Sequence, residues 1–253
     1  MNKKSIILVI TLILVLSINI SAQSDLFIYS AAGLMKPMEE ISKNFEEETD
    51  INVNIQFNAS GVLMNQIKTV KQGDIYIAAD SWYVNQLFEQ NIIIKRHRIA
   101  KHTPVIIVPN ENKNNINIFN DILLPGKKII IADNSAAIGK VTQEIFEKNE
   151  ISEDIQKNII SNAETVNKVK MYILLNQADA GIVWKANYFE NREELKMVKI
   201  PEENNIIKDI SIGKLKYSTN SEKAEEFLNY ITSPKGKDIF QKYGYNNYNE
   251  KVK

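Results

Sequence analysis

NASGVLMNQIKTVKQGDIYIAADSWY, residues 58–83, runs loop, helix and strand together without a break. Asn58-Ala59-Ser60-Gly61 is turn chemistry with a hydroxyl in the N-cap position, and Leu63, Ile67 and Val70 follow at spacings of four and three. That spacing predicts a short amphipathic helix beginning just after Ser60. Lys68 and Lys71 fall in its last turn, where the helix dipole favours cations. Gly73 is the expected stop, and Asp74-Ile75-Tyr76-Ile77-Ala78-Ala79 is the expected buried strand. A helix start that carries a serine hydroxyl and unpaired backbone N–H groups can take an anion without lysine or arginine. The same residues would also serve as an ordinary capped helix between two strands.

The strand, glycine-bearing turn and helix recur on both sides of this stretch. Leu26-Phe27-Ile28-Tyr29 leads through Ser30-Ala31-Ala32-Gly33 into a helix over residues 34–48, with Leu34, Met38, Ile41 and Phe45 on one face and Pro37 in the first turn. Residues 127–132, KKIIIA, lead through a turn at 133–139 into a helix ending near Lys148. Ile51, Val53, Ile55 and Phe57 alternate with polar residues, as in a strand with one wet face. Further helices are expected at 81–90, 164–177, 221–232 and 234–243, and strands at 104–109 (PVIIVP, a crossing between lobes), 178–184 and 208–217. Strands alternating with helices predict α/β architecture, mostly parallel sheets flanked by helices, with ligands at the carboxyl ends of strands.

Composition narrows the function. The 253 residues suffice for two lobes, and 31 basic residues balance 31 acidic ones, so no global field points to nucleic acid or an anionic membrane. Lys3 and Lys4, the apolar run at 6–20 and the small residues Ser21 and Ala22 predict a Sec-type signal peptide over residues 1–22. No later stretch is apolar for long enough to span a bilayer, so no stable membrane insertion is expected. Cysteine is absent, which leaves the fold to its core and removes the acceptor for a lipoprotein anchor. Export without an anchor favours a periplasm between two membranes.

The chemistry of an enzyme is missing from the pattern. No cysteine nucleophile, G-x-S-x-G, H-E-x-x-H or phosphate-loop glycine cluster occurs. Asp74 and Asp80 share a strand face and could form an acid–base pair, but aspartates at strand ends more commonly cap helices. His97 and His102, in the basic stretch 95–101 and just beyond it, have no partner at metal spacing and are expected at the surface.

SAAGLMKPMEEISKNFEEETDINV, NASGVLMNQI, GDIYIAAD, ADAGIVW and AEEFLNYITSPKGKDIFQKYGY occur in that order across nearly the whole chain after residue 22. In this respect the sequence resembles the periplasmic molybdate-binding proteins of ABC importers. The resemblance implies a two-lobed solute-binding fold of type II with two hinge crossings, lobe I at 23–105 and 206–253 and lobe II at 106–205. It implies closure on a tetrahedral oxyanion, molybdate or tungstate, held by hydroxyl and N–H donors at helix starts without a counter-charge. The three strand–turn–helix units supply such donors at Ala32–Gly33, Ser60–Gly61 and Ile138–Gly139. By the resemblance Ser60 matches a serine ligand, Val166 a backbone N–H donor, and Ile138 lies near an alanine whose N–H contacts the anion. Gly33 stands where the family has its other serine and Trp184 where it has a tyrosine, with Ser30 and Tyr83 as neighbouring substitutes. The expected protein is a monomeric, non-catalytic binding component that needs no cofactor and delivers its oxyanion to an ABC importer permease. The rival readings are a pocket that has drifted to another anion or a chelated metal, and an exported enzyme on the same fold.

Overall fold

Alternation becomes two-sided burial in strand β1 (Leu26–Ala31) of the computed structural model, which describes residues 25–134 and 136–247. Leu26 and Ile28 pack with Leu34 of a 3₁₀ turn (Ala32–Leu34) and with Met38, Ile41 and Phe45 of helix α1 (Met35–Thr49). Tyr29 faces the other way, onto Leu63, Met64 and Ile67 of α2 (Ser60–Val70). Strand β3 (Ile75–Ala78) repeats the division, with Ile75 and Ile77 on the first face and Tyr76 and Ala78 on the second. One sheet thus buries helices on both sides, and apolar residues occupy both phases of its central strands.

With β2 (Val53–Asn58), β4 (Ile93–His102), β10 (Lys208–Leu215) and β11 (Asn246–Asn247), these strands form a six-stranded sheet in the order β11-β4-β10-β3-β1-β2. The second sheet, in the order β7-β6-β8-β5-β9, contains β5 (Pro104–Pro109), β6 (Ile129–Ala132), β7 (Ile159–Ala163), β8 (Ala180–Trp184) and β9 (Leu195–Val198). Its core is formed with α4 (Ala137–Lys148), α5 (Ser152–Gln156) and α6 (Val166–Leu174). Pairing is parallel where helices carry the chain back, β2-β1-β3 and β7-β6-β8, and antiparallel where strands belong to the crossings, β4, β5, β9 and β10. This is the two-sheet α/β architecture of type II solute-binding proteins.

Several local expectations shift. Ala59 is the cap of α2 and Ser60 its first residue, so the serine hydroxyl does not cap its own helix. That helix stops at Val70 with Lys71 left-handed (φ 55), and Gly73 (φ 100) lies in the turn beyond. There an added Cβ would lie 2.5 Å from the Tyr29 ring. The polar stretch 95–101 is a strand, β4, whose exposed residues alternate with half-buried ones. The segment 104–109 is a strand within the second sheet, and the chain changes sheets just ahead of it, at Thr103. It returns between β9 and β10, where Asn205 Nδ2 donates to the Pro104 carbonyl at 3.0 Å and fastens the two crossings together. The expected signal peptide lies outside the described residues, among which no helix is long and apolar enough to cross a membrane. Helix α3 (Ser81–Glu89), the short α7 (Lys185–Phe189), α8 (Ser221–Thr232) and α9 (Pro234–Lys242) complete the elements used below.

His102 is not a surface residue. It ends β4 at the crossing, 5% exposed, with its ring stacked on Trp184 at 3.8 Å and 17° and Tyr245 5.5 Å away. Burial lowers its pKa from 6.5 to about 3, so the ring is neutral in the folded protein near neutrality. Asp74 is buried too, just before β3, and its carboxylate accepts from the Phe27 amide at 2.8 Å, Ser218 Oγ at 2.7 Å and the Asn220 amide at 3.3 Å.

Two outcomes follow for stability. Removing the shared acceptor in Asp74→Ala strands partly buried donors and should cost roughly 1–3 kcal/mol in urea unfolding with an unchanged m-value. For His102 the folded pKa is the lower one, so the unfolded chain binds a proton first as pH falls. Its stabilising contribution is complete above pH 6.5 and is lost towards pH 3. Between pH 7 and pH 5 the parent should lose about 2 kcal/mol that a His102→Phe variant does not, by the linkage of proton binding to unfolding. Equal pH sensitivity in parent and variant would sink that account.

Candidate functional site

The two sheets enclose a cleft of about 1480 Å³. Its walls are helix starts. An α-helix leaves the amides of its first turn without acceptors, and here the first intrahelical bonds are Leu63 N to Ala59 O, Lys140 N to Ala136 O and Val169 N to Thr165 O. The amides ahead of them, at Ser60–Gly61, Ala137–Ile138 and Val166–Asn167, lie on residues lining the cleft, as do Ala32 and Gly33 in the 3₁₀ turn before α1. The caps Ala31, Ala59 and Ala136 have no side chain that could accept these N–H groups. Thr165 does cap α6, but its Oγ1 accepts from the Lys168 amide and leaves Val166 and Asn167 aside. The first sheet contributes two of these starts and the second contributes two.

Ser60 is tied down on both of its oxygens. Its Oγ accepts the Ala79 amide at 3.3 Å, so the hydroxyl hydrogen is left to donate, and its carbonyl accepts Tyr76 Oη at 2.7 Å. Burial, ahead of the charges of Tyr83 and Asp80, pushes the Tyr76 phenol well above its ordinary range and keeps it a donor. Tyr83 covers the same helix start, 3.4 Å from where a Cβ on Gly61 would lie. Gly33 is different, since an added Cβ there would meet nothing within 4 Å and the space belongs to the cleft. Ile138 is 1% exposed, so its side chain serves the core and only its backbone serves the cleft. At Gly139 a Cβ would lie 2.0 Å from the Asp133 carbonyl, which folds over the start of α4 and requires glycine. Trp184 ends β8 at the cleft, 7% exposed against His102.

The structure therefore brings Ala32, Gly33, Ser60, Gly61, Tyr83, Ile138, Val166 and Trp184 to one cleft. Ser30 is not among the lining residues. It is fully buried in β1, and its hydroxyl lies 3.5 Å from the Ala31 carbonyl. Asp74 and Asp80 form no acid–base pair, because they stand at opposite ends of β3. Asp80 caps α3 through the Trp82 amide at 2.9 Å, while Asp74 holds the buried bonds described above. Thr165 and Tyr245 also line the cleft without having been singled out in the sequence, and His102, expected at the surface, joins them. Only Thr165 left a usable signal there, a hydroxyl residue just before an amphipathic run.

Two sets of cations at the cleft are paired with carboxylates. Lys36 on α1 meets Glu190 beside the second sheet at 2.7 Å, and Lys170 meets the same Glu190 at 2.6 Å. Burial would raise the Glu190 carboxyl, but the hydrogen bonds from Lys170 and Lys36 outweigh it and hold the carboxyl below its ordinary range. Lys208 joins Glu144 of α4 at 2.8 Å and Asp80 at 3.9 Å. Both sets bridge the two sheets; Lys140, in the first turn of α4, also lines the cleft and has no carboxylate partner among the described residues.

Comparison with known proteins agrees with this geometry. Residues 26–246 match the family model described as bacterial extracellular solute-binding protein. A putative binding protein of Haemophilus influenzae is 27% identical over 88% of this chain and 91% of its own. Molybdate-binding protein ModA of Mycobacterium tuberculosis is 24% identical over 87% and 84%. The solved substrate binding domain of a putative molybdenum ABC transporter from Clostridium difficile superposes with a TM-score of 0.80 at 23% identity, covering 88% of this chain and 98% of that one. A cleft walled by helix starts and bridged between two sheets is thus accompanied by a match over nearly all the described residues, and the chain belongs to the bacterial extracellular solute-binding protein family.

Proposed function

We propose that the cleft captures a tetrahedral oxyanion, molybdate or tungstate first, and that the protein delivers it to the permease of an ABC importer. The observation that carries this reading is the convergence of four helix starts, three behind alanine caps, on one cleft. Such amides favour negative charge and donate without accepting, as a fully deprotonated oxyanion requires. Ser60 adds a hydroxyl whose acceptor side is already used. The relatives named for molybdate support the choice of ligand. In this reading residues 1–22 direct export to the periplasm and the protein acts as a monomer. The two sheets with their helices are lobes that close about the crossings at Thr103 and beyond β9, so Pro104 and Val105, expected in lobe I, fall with β5 in lobe II.

A second reading has one observation in its favour. The cleft holds about 1480 Å³ although ion pairs already bridge it, and Gly33 leaves open the space of a serine side chain. A larger anion, its charged end at the same amides, would occupy that room. A thermal-shift panel separates the two: molybdate and tungstate should raise the melting temperature, by about 2.7 kcal/mol of stabilisation at a hundredfold excess over Kd.

Ser60→Ala should weaken molybdate binding about ten- to 150-fold, the loss of a charge-assisted bond of roughly 1.5–3 kcal/mol. Titration calorimetry with equal affinity for parent and variant would exclude the serine from the ligand shell. Trp184 gives a second handle. In a Trp82→Phe background its fluorescence should change on adding molybdate, and Trp184→Phe should bind less tightly while remaining folded. Unaltered affinity in Trp184→Phe would make the indole packing alone.

A further inference from the structure

Helix α1 starts irregularly, through a 3₁₀ turn, and carries a proline at residue 37 in its first turn. In a continuous α-helix the amide of residue 37 donates to the carbonyl of residue 33. Pro37 has no N–H, and its ring crowds that carbonyl. The chain enters α1 through the 3₁₀ turn Ala32–Leu34, in which the Met35 amide bonds to Ala32 O. The Gly33 carbonyl takes its hydrogen bond from far along the chain, where Tyr245 Oη, on a side chain only 5% exposed, donates to it at 2.8 Å. A planar trans peptide points its C=O and N–H in opposite directions. A donor clamped on the Gly33 carbonyl therefore also fixes the Gly33–Leu34 peptide plane, and with it the turn whose Ala32 and Gly33 line the cleft.

We propose that Tyr245 is a positioning residue for the anion site: it supplies the hydrogen bond that Pro37 cannot make and holds in place the turn whose Ala32 and Gly33 line the cleft. The inference rests on the reading of that turn as part of the binding site. Residues beside Tyr245 connect it to the second sheet. Gly244 (φ 84) packs so closely on Phe189, the last residue of α7, that an added Cβ would lie 2.6 Å from the ring. Asn246 Oδ1 accepts from Lys185 Nζ of α7 at 3.1 Å and from Thr103 Oγ1 at the crossing at 3.4 Å. Displacement of α7 relative to the first sheet is thereby passed to the residue that aims the Gly33 turn.

The test uses Tyr245→Phe, which keeps the ring, alone and combined with Pro37→Ala, which restores an amide for the Gly33 carbonyl. Each protein is titrated with molybdate by calorimetry, and its backbone amide exchange is followed by NMR without ligand. Tyr245→Phe should bind molybdate about tenfold more weakly, as expected for a lost hydrogen bond to a carbonyl left without its partner. Exchange at Gly33 and Leu34 should accelerate, and Pro37→Ala should recover most of both effects. A tyrosine that merely filled space would not be rescued by a residue on another element. The exchange arm needs no ligand, so a parent that ignores molybdate would overturn the choice of solute while the role of Tyr245 is still decided. Parent-like affinity and exchange in Tyr245→Phe, or a loss that Pro37→Ala does not reduce, would overturn the proposal. If Tyr245→Phe does not fold, recovery of the fold in the double variant supports the shared carbonyl, and no recovery overturns it.

Discussion

A helix start holds several N–H donors that its own backbone cannot satisfy, and this single constraint organises the cleft. Elsewhere the chain meets it with side chains, as Asp80 does for α3 and Ser233 for α9. At Ala31, Ala59 and Ala136 it does not, and those starts open on the space between the sheets. Leaving a buried donor unmade costs about 1–3 kcal/mol, so such donors are tolerated where solvent or solute can reach them. The ordinary stabilising device is absent where the proposed binding would use the amides.

The junction between the sheets follows the opposite logic. There His102, Trp184 and Tyr245 pack their rings together, and Asn205 fastens one crossing to the other. The ring of His102 carries no charge into this junction, because burial favours its neutral form. The ion pairs Lys36–Glu190 and Lys208–Glu144 lie further out, on side chains that water still reaches. Pairs of that kind contribute about 0–1 kcal/mol each. They would suit the proposed parting of the two sides of the cleft, and the ring stack the proposed pivot.

Much of this was legible from the chain. Periodicity located the helices and most strands, since Leu63 with Ile67 or Ile75 with Ile77 are neighbours whose shared face is dictated by backbone geometry. Glycine-bearing turns marked three helix starts of the cleft, and Ser60 was found among them. The errors were of two kinds. Ser60 stands one position inside α2 rather than at its cap, and Lys71 rather than Gly73 takes the left-handed stop, because cap geometry depends on single dihedral angles. His102 is buried rather than exposed for another reason, that exposure at the end of a strand depends on what packs over it.

The sequence by itself determined the alternation of strand and helix, the zero net charge and the run of turns that can present amides, all of which rest on residues close together in the chain. Only the tertiary structure decided which starts share a cleft, that His102 is buried, and that Tyr245 reaches across 212 positions to the Gly33 carbonyl. Local patterns are written in spacing because backbone geometry couples near neighbours. Contacts between distant residues are set by how whole sheets and helices pack, and no spacing in the sequence encodes that.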